Sequence, residues 1–292
     1  MIQPNKHSCH GFILIDRRAA KRGFTLIELS IVLIIIGLII GGVLVGQDLI
    51  NAAGIRAQIT QIEKYQTAVN TFRSKYGYLP GDMPDPYATQ YGFTARGTNG
   101  SGQGDGNGVI QGIDSISPAT GKGQCGASGE LGMFWVDLSK ANLVDGSFNS
   151  AGKTTGATPA TMSLSGSGIM TALVVPYFFP PAKLTGGGRG NFVYVWSNNG
   201  LNYFGITSSI MIGADDPWYI DSSPGLTVIQ AYNIDKKIDD GFPLTGRVTP
   251  QYQNDNPQWA AGCYDAPSGT TQYAMDVSNG TGVNCALSFQ FQ

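Results

Sequence analysis

From Phe24 to Gly46 apolar residues follow one another almost without a break, and beyond Ile55 they thin into a regular stripe. The first run is 23 residues long and holds one charge, Glu28, and two hydroxyls, Thr25 and Ser30. About 20 apolar residues cross a bilayer as a helix. Leu33-Ile34-Ile35-Ile36 and Leu38-Ile39-Ile40 are apolar on every face, as expected of a helix in lipid rather than one in a soluble core. The stripe that follows is Ile55, Ile59, Ile62, Tyr65, Val69, Phe72 and Tyr76. Its steps of three and four residues mark one face of an α-helix. Gly77 and Pro80 end it. The pattern predicts a single helix from Phe24 to Tyr76, with Gly54 as a point of weakness.

Farther along, Arg96 to Gly129 is Gly-rich and reads as a long loop. A second helix is predicted from Glu130 to about Val144, with Leu131, Phe134, Trp135, Leu138 and Ala141 on one face and Gly146 as its stop. Ser147 to Gly168 reads as loop or edge strands, and Thr171 to Phe179 as a β-rich apolar run. Phe192–Trp196 and Leu201–Ile206 flank Asn198-Asn199-Gly200, a strong hairpin signal. A third helix is predicted from Leu226 to Ile238, ending at Gly241. The fold class is α+β: a long N-terminal helix, transmembrane in its first half, packed on a C-terminal globular domain with an antiparallel sheet.

Charge fixes the expected topology. The 23 residues before the apolar run carry five basic side chains against Asp16, a net +4. Positive residues beside a membrane helix stay cytoplasmic, so the N-terminus is expected inside and everything after Gly46 outside. Gln47-Asp48-Leu49 follows the run without a small-x-small cleavage pattern, so the run is expected to be retained.

Arg22-Gly23-Phe24-Thr25-Leu26-Ile27-Glu28-Leu29 resembles the class III signal of type IV prepilins and type II secretion pseudopilins. The resemblance covers Lys21 to about Tyr76, and Tyr76-Gly-Tyr-Leu-Pro-Gly-Asp82 resembles the end of the helix in pseudopilin-like chains. It implies a pilin-like fold, cleavage between Gly23 and Phe24 by a prepilin peptidase, and methylation of the new N-terminal Phe24. The expected parts are a leader at 1–23, a helix at 24–77 with 24–46 transmembrane, and an extracytoplasmic domain at 78–292. The mature chain would have 269 residues, with 13 basic and 19 acidic side chains and a net charge of −6. No basic face is expected, and no nucleic-acid partner. His7 and His10 would leave with the leader, excluding a Ser-His-Asp triad, a Cys-His pair and a His metal site.

A carboxylate in a membrane helix is costly and marks function by default. Cleavage would create a free amine on Phe24, one turn before Glu28, and in a helix bundle the amine of one subunit could neutralise the Glu28 of a neighbour. The resemblance implies the same role in assembly. It also implies the partners: other pilin or pseudopilin subunits through the N-terminal helix, an ATPase, an inner-membrane platform and membrane lipid. The expected location is the bacterial inner membrane, then an extracytoplasmic filament. The expected function is a structural subunit of a type IV pilus or a secretion pseudopilus, not an enzyme. The alternative is a minor pilin or adhesin-like binding module at a filament tip.

The remaining chemistry is sparse. Cys9 lies in the leader, while Cys125, Cys263 and Cys285 would face an oxidising exterior, and sequence leaves three pairings open. The resemblance favours Cys263 with Cys285, since many pilins close a C-terminal loop with a disulfide. Asp105-Gly-Asn107-Gly-Val-Ile looks like a shortened calcium loop. An EF-hand would need Gly and Glu where Ile110 and Ile116 stand, so a solvated loop is favoured. Calcium stays a weak candidate with Asp105, Asn107 and Asp114, and Glu130 as a further ligand; no other cofactor is expected. Gly152-Lys153-Thr154 lacks the first glycine of a P-loop. Asp215-Asp216 and Asp239-Asp240 are adjacent rather than facing across a cleft. Ile234 to Pro243 resembles a stretch of some pilin-like proteins, to which only a helix-end role is assigned. Trp135, Trp196, Trp218 and Trp259 are expected in the core.

Overall fold

The computed structural model describes residues 23–96, 104–111, 129–152, 161–163, 175–186, 190–212, 220–254, 256–265 and 271–292. The chain divides into two compact units, Met1–Ile50 and Asn51–Gln292. Helix α1 (Leu26–Tyr76) begins in the first and ends in the second. Its first part is long and apolar enough to cross a membrane, and its Leu and Ile side chains are exposed.

In the second unit α1 turns a striped face inward. Ile55, Ile62, Val69 and Phe72 are buried, and so are Gln58 and Gln61. The helix runs through Gly54 without a break. A Cβ there would lie 2.9 Å from a methyl carbon of Leu184, so this glycine marks a close approach of the chain rather than a weak point. After α1 come α2 (Tyr87–Gln90), α3 (Gly129–Lys140), β1 (Ser150–Gly152) and β2 (Thr161–Ser163). Next are β3 (Phe192–Asn198), β4 (Leu201–Ile212), β5 (Ile220–Ser223) and α4 (Val228–Ile238). Last come β6 (Val248–Thr249), β7 (Gln251–Asn254), β8 (Asn256–Trp259) and β9 (Leu287–Gln290).

The main sheet has the order β3-β4-β9-β6, with β5 pairing with the far part of β4, and every pair in it is antiparallel. Asn199 at φ 51° and Gly200 at φ 80° supply the tight turn between β3 and β4, as a two-residue hairpin loop requires. One face carries Val193, Val195, Phe204, Ile206, Leu287 and Phe289, paired in register and buried. It meets α1 and α3: Tyr65 lies 4.9 Å from Trp135 and 6.2 Å from Phe204, ring to ring. On the other face the Tyr194 ring lies over Gly205, where a Cβ would sit 2.2 Å from it. The Tyr194 hydroxyl accepts the Gln253 N–H at 3.0 Å, so the β7–β8 hairpin reaches that face.

Local differences from the sequence expectations have physical causes. The second helix ends at Lys140, ahead of Val144, because Asn142 takes a positive φ of 55°. The third begins at Val228, and Thr227 with Gln230 forms a capping box ahead of it. Within the expected strand at Thr171–Phe179, Val175–Tyr177 form a 3-10 turn, and Pro176 there has no N–H to give a ladder. Trp135 and Trp196 are buried, but Trp259 is 43% exposed on β8.

Candidate functional site

The N-terminal region of α1 is built around Thr25 and Glu28. The Thr25 backbone N–H and hydroxyl both donate to Glu28 Oε2 at 2.8 Å, and the Glu28 N–H donates to Thr25 Oγ1 at 3.3 Å. This is a reciprocal capping box, which satisfies donors a helix start leaves free. Its sequence signal is Thr-x-x-Glu at 25–28, a motif distinct from the charge-pairing role expected of Glu28. The Glu28 carboxylate thus accepts two hydrogen bonds within its own chain, and both fall on one oxygen.

Residues 18–44 match the model of the prokaryotic N-terminal methylation motif. This is a prepilin signal. The match spans Gly23, Phe24 and Glu28 and stops within α1. No curated protein and no solved structure matches the chain. The prepilin signal, the apolar helix behind it and the antiparallel sheet domain after it make a pilin-like α+β architecture. Gly23 and Phe24 directly precede the Thr25–Glu28 cap, while residues 1–22, the rest of the expected leader, lie outside the described residues.

In the second unit the calcium candidates meet partners the sequence had not joined to them. Asp82, Asp105 and Glu130 bring carboxylate oxygens within 4.8 Å of one another. Asp82 and Glu130 are buried. Glu130 Oε1 accepts from the N–H groups of Gly104 and Asp105, and its Oε2 from that of Gln111. Asp82 accepts from the N–H groups of Gly106 and Gly108. Asn107 closes on Asp105 through its own N–H and side-chain amide. Asn202 on β4 accepts the Ile110 N–H and donates to the Gly108 carbonyl. The segment 104–111 is therefore held by buried carboxylates that receive its amides. Burial, then the charge of Asp82, pushes Glu130 up to about 8; burial pushes Asp82 up to about 6 against the pull of the Gly108 and Gly106 amides. Asp114 lies outside the described residues.

A second acidic group, Asp235, Asp239 and Asp240, accounts for the Ile234–Pro243 stretch. Asp235 is buried and accepts from the Tyr273 hydroxyl at 2.7 Å and from the Gly241 N–H. Asp239 accepts from the N–H groups of Arg247 and Val248, and Asp240 from that of Phe242 and the hydroxyl of Thr245. Each carboxylate ties down part of the turn that follows α4. Cys263 and Cys285 are joined by a disulfide, with Cα atoms 4.8 Å apart. Cys125, Lys153-Thr154, Asp215-Asp216 and Trp218 lie outside the described residues.

Proposed function

We propose that the chain is a structural, non-catalytic subunit of a type IV pilus or a type II secretion pseudopilus. It is cleaved between Gly23 and Phe24 and assembles through α1 from the inner membrane, with its globular part outside the cytoplasm. The observation that carries this reading is the match at residues 18–44, which places Gly23, Phe24 and Glu28 at the head of an apolar helix. A soluble domain would not retain such a helix with exposed Leu and Ile along it. In a bundle, Glu28 keeps one oxygen on Thr25 and offers the other to the Phe24 amine of a neighbour. Prepilin peptidase, related subunits, an assembly platform and lipid are the partners this implies.

The test is processing. Gly23→Ala should slow cleavage and leave a precursor heavier by the leader, read by mass spectrometry of the membrane fraction. A wild-type mature N-terminus other than Phe24 would sink the assignment.

A further inference from the structure

Between the second half of α1 and the turn at 176–183 lies a groove of about 610 Å³, within the size range of ligand sites. On its helix wall Arg56, Thr60 and Lys64 stand at i, i+4 and i+8, so the two cations are two turns, roughly 12 Å, apart. Lys183 faces them from the opposite wall, beside Pro180 and Pro181. Asp145 is the lining carboxylate, which leaves three positive charges against one negative. Among the described residues Arg96–Asp137 is the salt bridge, and none of Arg56, Lys64 and Lys183 pairs with a carboxylate there. Behind the groove's aromatic residues, Tyr65 and Phe148, stands Trp135. Its ring is 4.9 Å from Tyr65 and 6.0 Å from Phe148, and its buried Nε1–H has no hydrogen-bond partner among the described residues.

The proline wall decides which kind of anion fits. An added peptide strand needs free backbone donors and acceptors. Pro180 and Pro181 carry no N–H. The Pro180 carbonyl is taken by the Val193 N–H, the Pro181 carbonyl by Gln61, and the Ala182 N–H by the Asn191 carbonyl. The Lys183 N–H is taken by Gln58. Recognition there falls to side chains: cations, the hydroxyls of Thr60 and Ser147, and the flat faces of Tyr65 and proline. Oxyanions favour Arg and Lys, and sugar rings favour flat apolar faces with hydroxyls beside them. We propose that this groove binds an acidic saccharide, its carboxylate or phosphate groups held by Arg56, Lys64 and Lys183 and its rings laid between Tyr65 on the helix wall and the prolines opposite. The site stands whether or not the subunit enters a filament.

The full mature chain in detergent is titrated calorimetrically with four probes. They are a uronate oligosaccharide, a phosphorylated oligosaccharide, a neutral oligosaccharide of equal length and an oligoglutamate. Expected is saturable binding of an acidic sugar that weakens at least about tenfold in Lys64→Gln/Lys183→Gln, and falls as salt rises. The variant should keep its melting temperature, since both side chains are exposed. The uronate and phosphate arms tell which oxyanion is read. Binding of neither acidic sugar overturns the proposal, as does affinity unchanged in the double variant, or an oligoglutamate bound more tightly than both. Lys140→Gln, outside the groove, should leave binding as it was.

Discussion

Glu28 makes both of its carboxylate hydrogen bonds through Oε2 to Thr25, inside its own chain. A buried charge is costly when it is left bare, and a local partner lowers that cost before any neighbour arrives. Replacing it removes a polar group from an apolar helix, so Glu28→Leu should insert in the membrane at least as well and be processed at Gly23. It should be lost at assembly, where no carboxylate remains for the Phe24 amine of the next subunit. Co-expressing tagged variant with wild type and measuring their ratio in sheared filaments checks this. A variant that enters as well as wild type leaves Glu28 as an interfacial cap alone. Glu130 poses the opposite problem, a carboxyl buried beside two others. Its folded-state value near 8 lies above the ordinary 4.5, so the folded chain keeps a proton there that the unfolded chain has released. Stability should therefore fall as pH rises from about 4.5 to 8. We expect the melting temperature to drop by at least about 3 °C between the acid and basic sides of that window, and the slope to flatten in Glu130→Gln. Equal slopes in the two proteins would assign the titration elsewhere.

Among the elements, those read from the sequence were the ones whose signal is local. The periodic face of α1 and the Asn199-Gly200 hairpin are written in neighbouring residues. Gln58 and Gln61 were not legible in this way. They are buried on α1 and reach across more than a hundred residues to the backbone of Pro181, Lys183 and Leu184. Nothing nearby in the sequence separates such a glutamine from a solvated one. The same holds for Asp82 and Glu130, whose partners come from a Gly-rich segment that composition marks only as a long loop. The Cys263–Cys285 disulfide belongs to this scale too. Cys285 also exchanges backbone hydrogen bonds with Leu226, just before α4, so the bridge ties the approach of β9 to two other segments. Loop closure over 22 residues is worth about 3 kcal/mol on the chain-entropy model. Cys263→Ala/Cys285→Ala should lower the melting temperature by roughly 6–12 °C, and non-reducing peptide mapping should recover the two cysteines together. A map linking either one to Cys125 would refute the pairing.

For the molecule as a whole, the order of strands in space differs from their order in the chain. β9 lies between β4 and β6, yet both are made well before it, and among the described residues β6 pairs with β9 alone in this sheet. A ribosome releasing the chain at constant speed therefore delivers the flanks of the sheet first and its middle afterwards. Until Leu287–Gln290 is available, Phe204 and Ile206 on β4 have Val195 and Val193 of β3 but lack Phe289 and Leu287, and Val248 lacks Phe289. Contacts of such long sequence separation are slow to close, because the loop entropy is lost before any pairing offsets it. The β3–β4 hairpin can form as it is made, but the β4–β9–β6 part of the sheet cannot zip up segment by segment. It waits open, and its completion is a single late event.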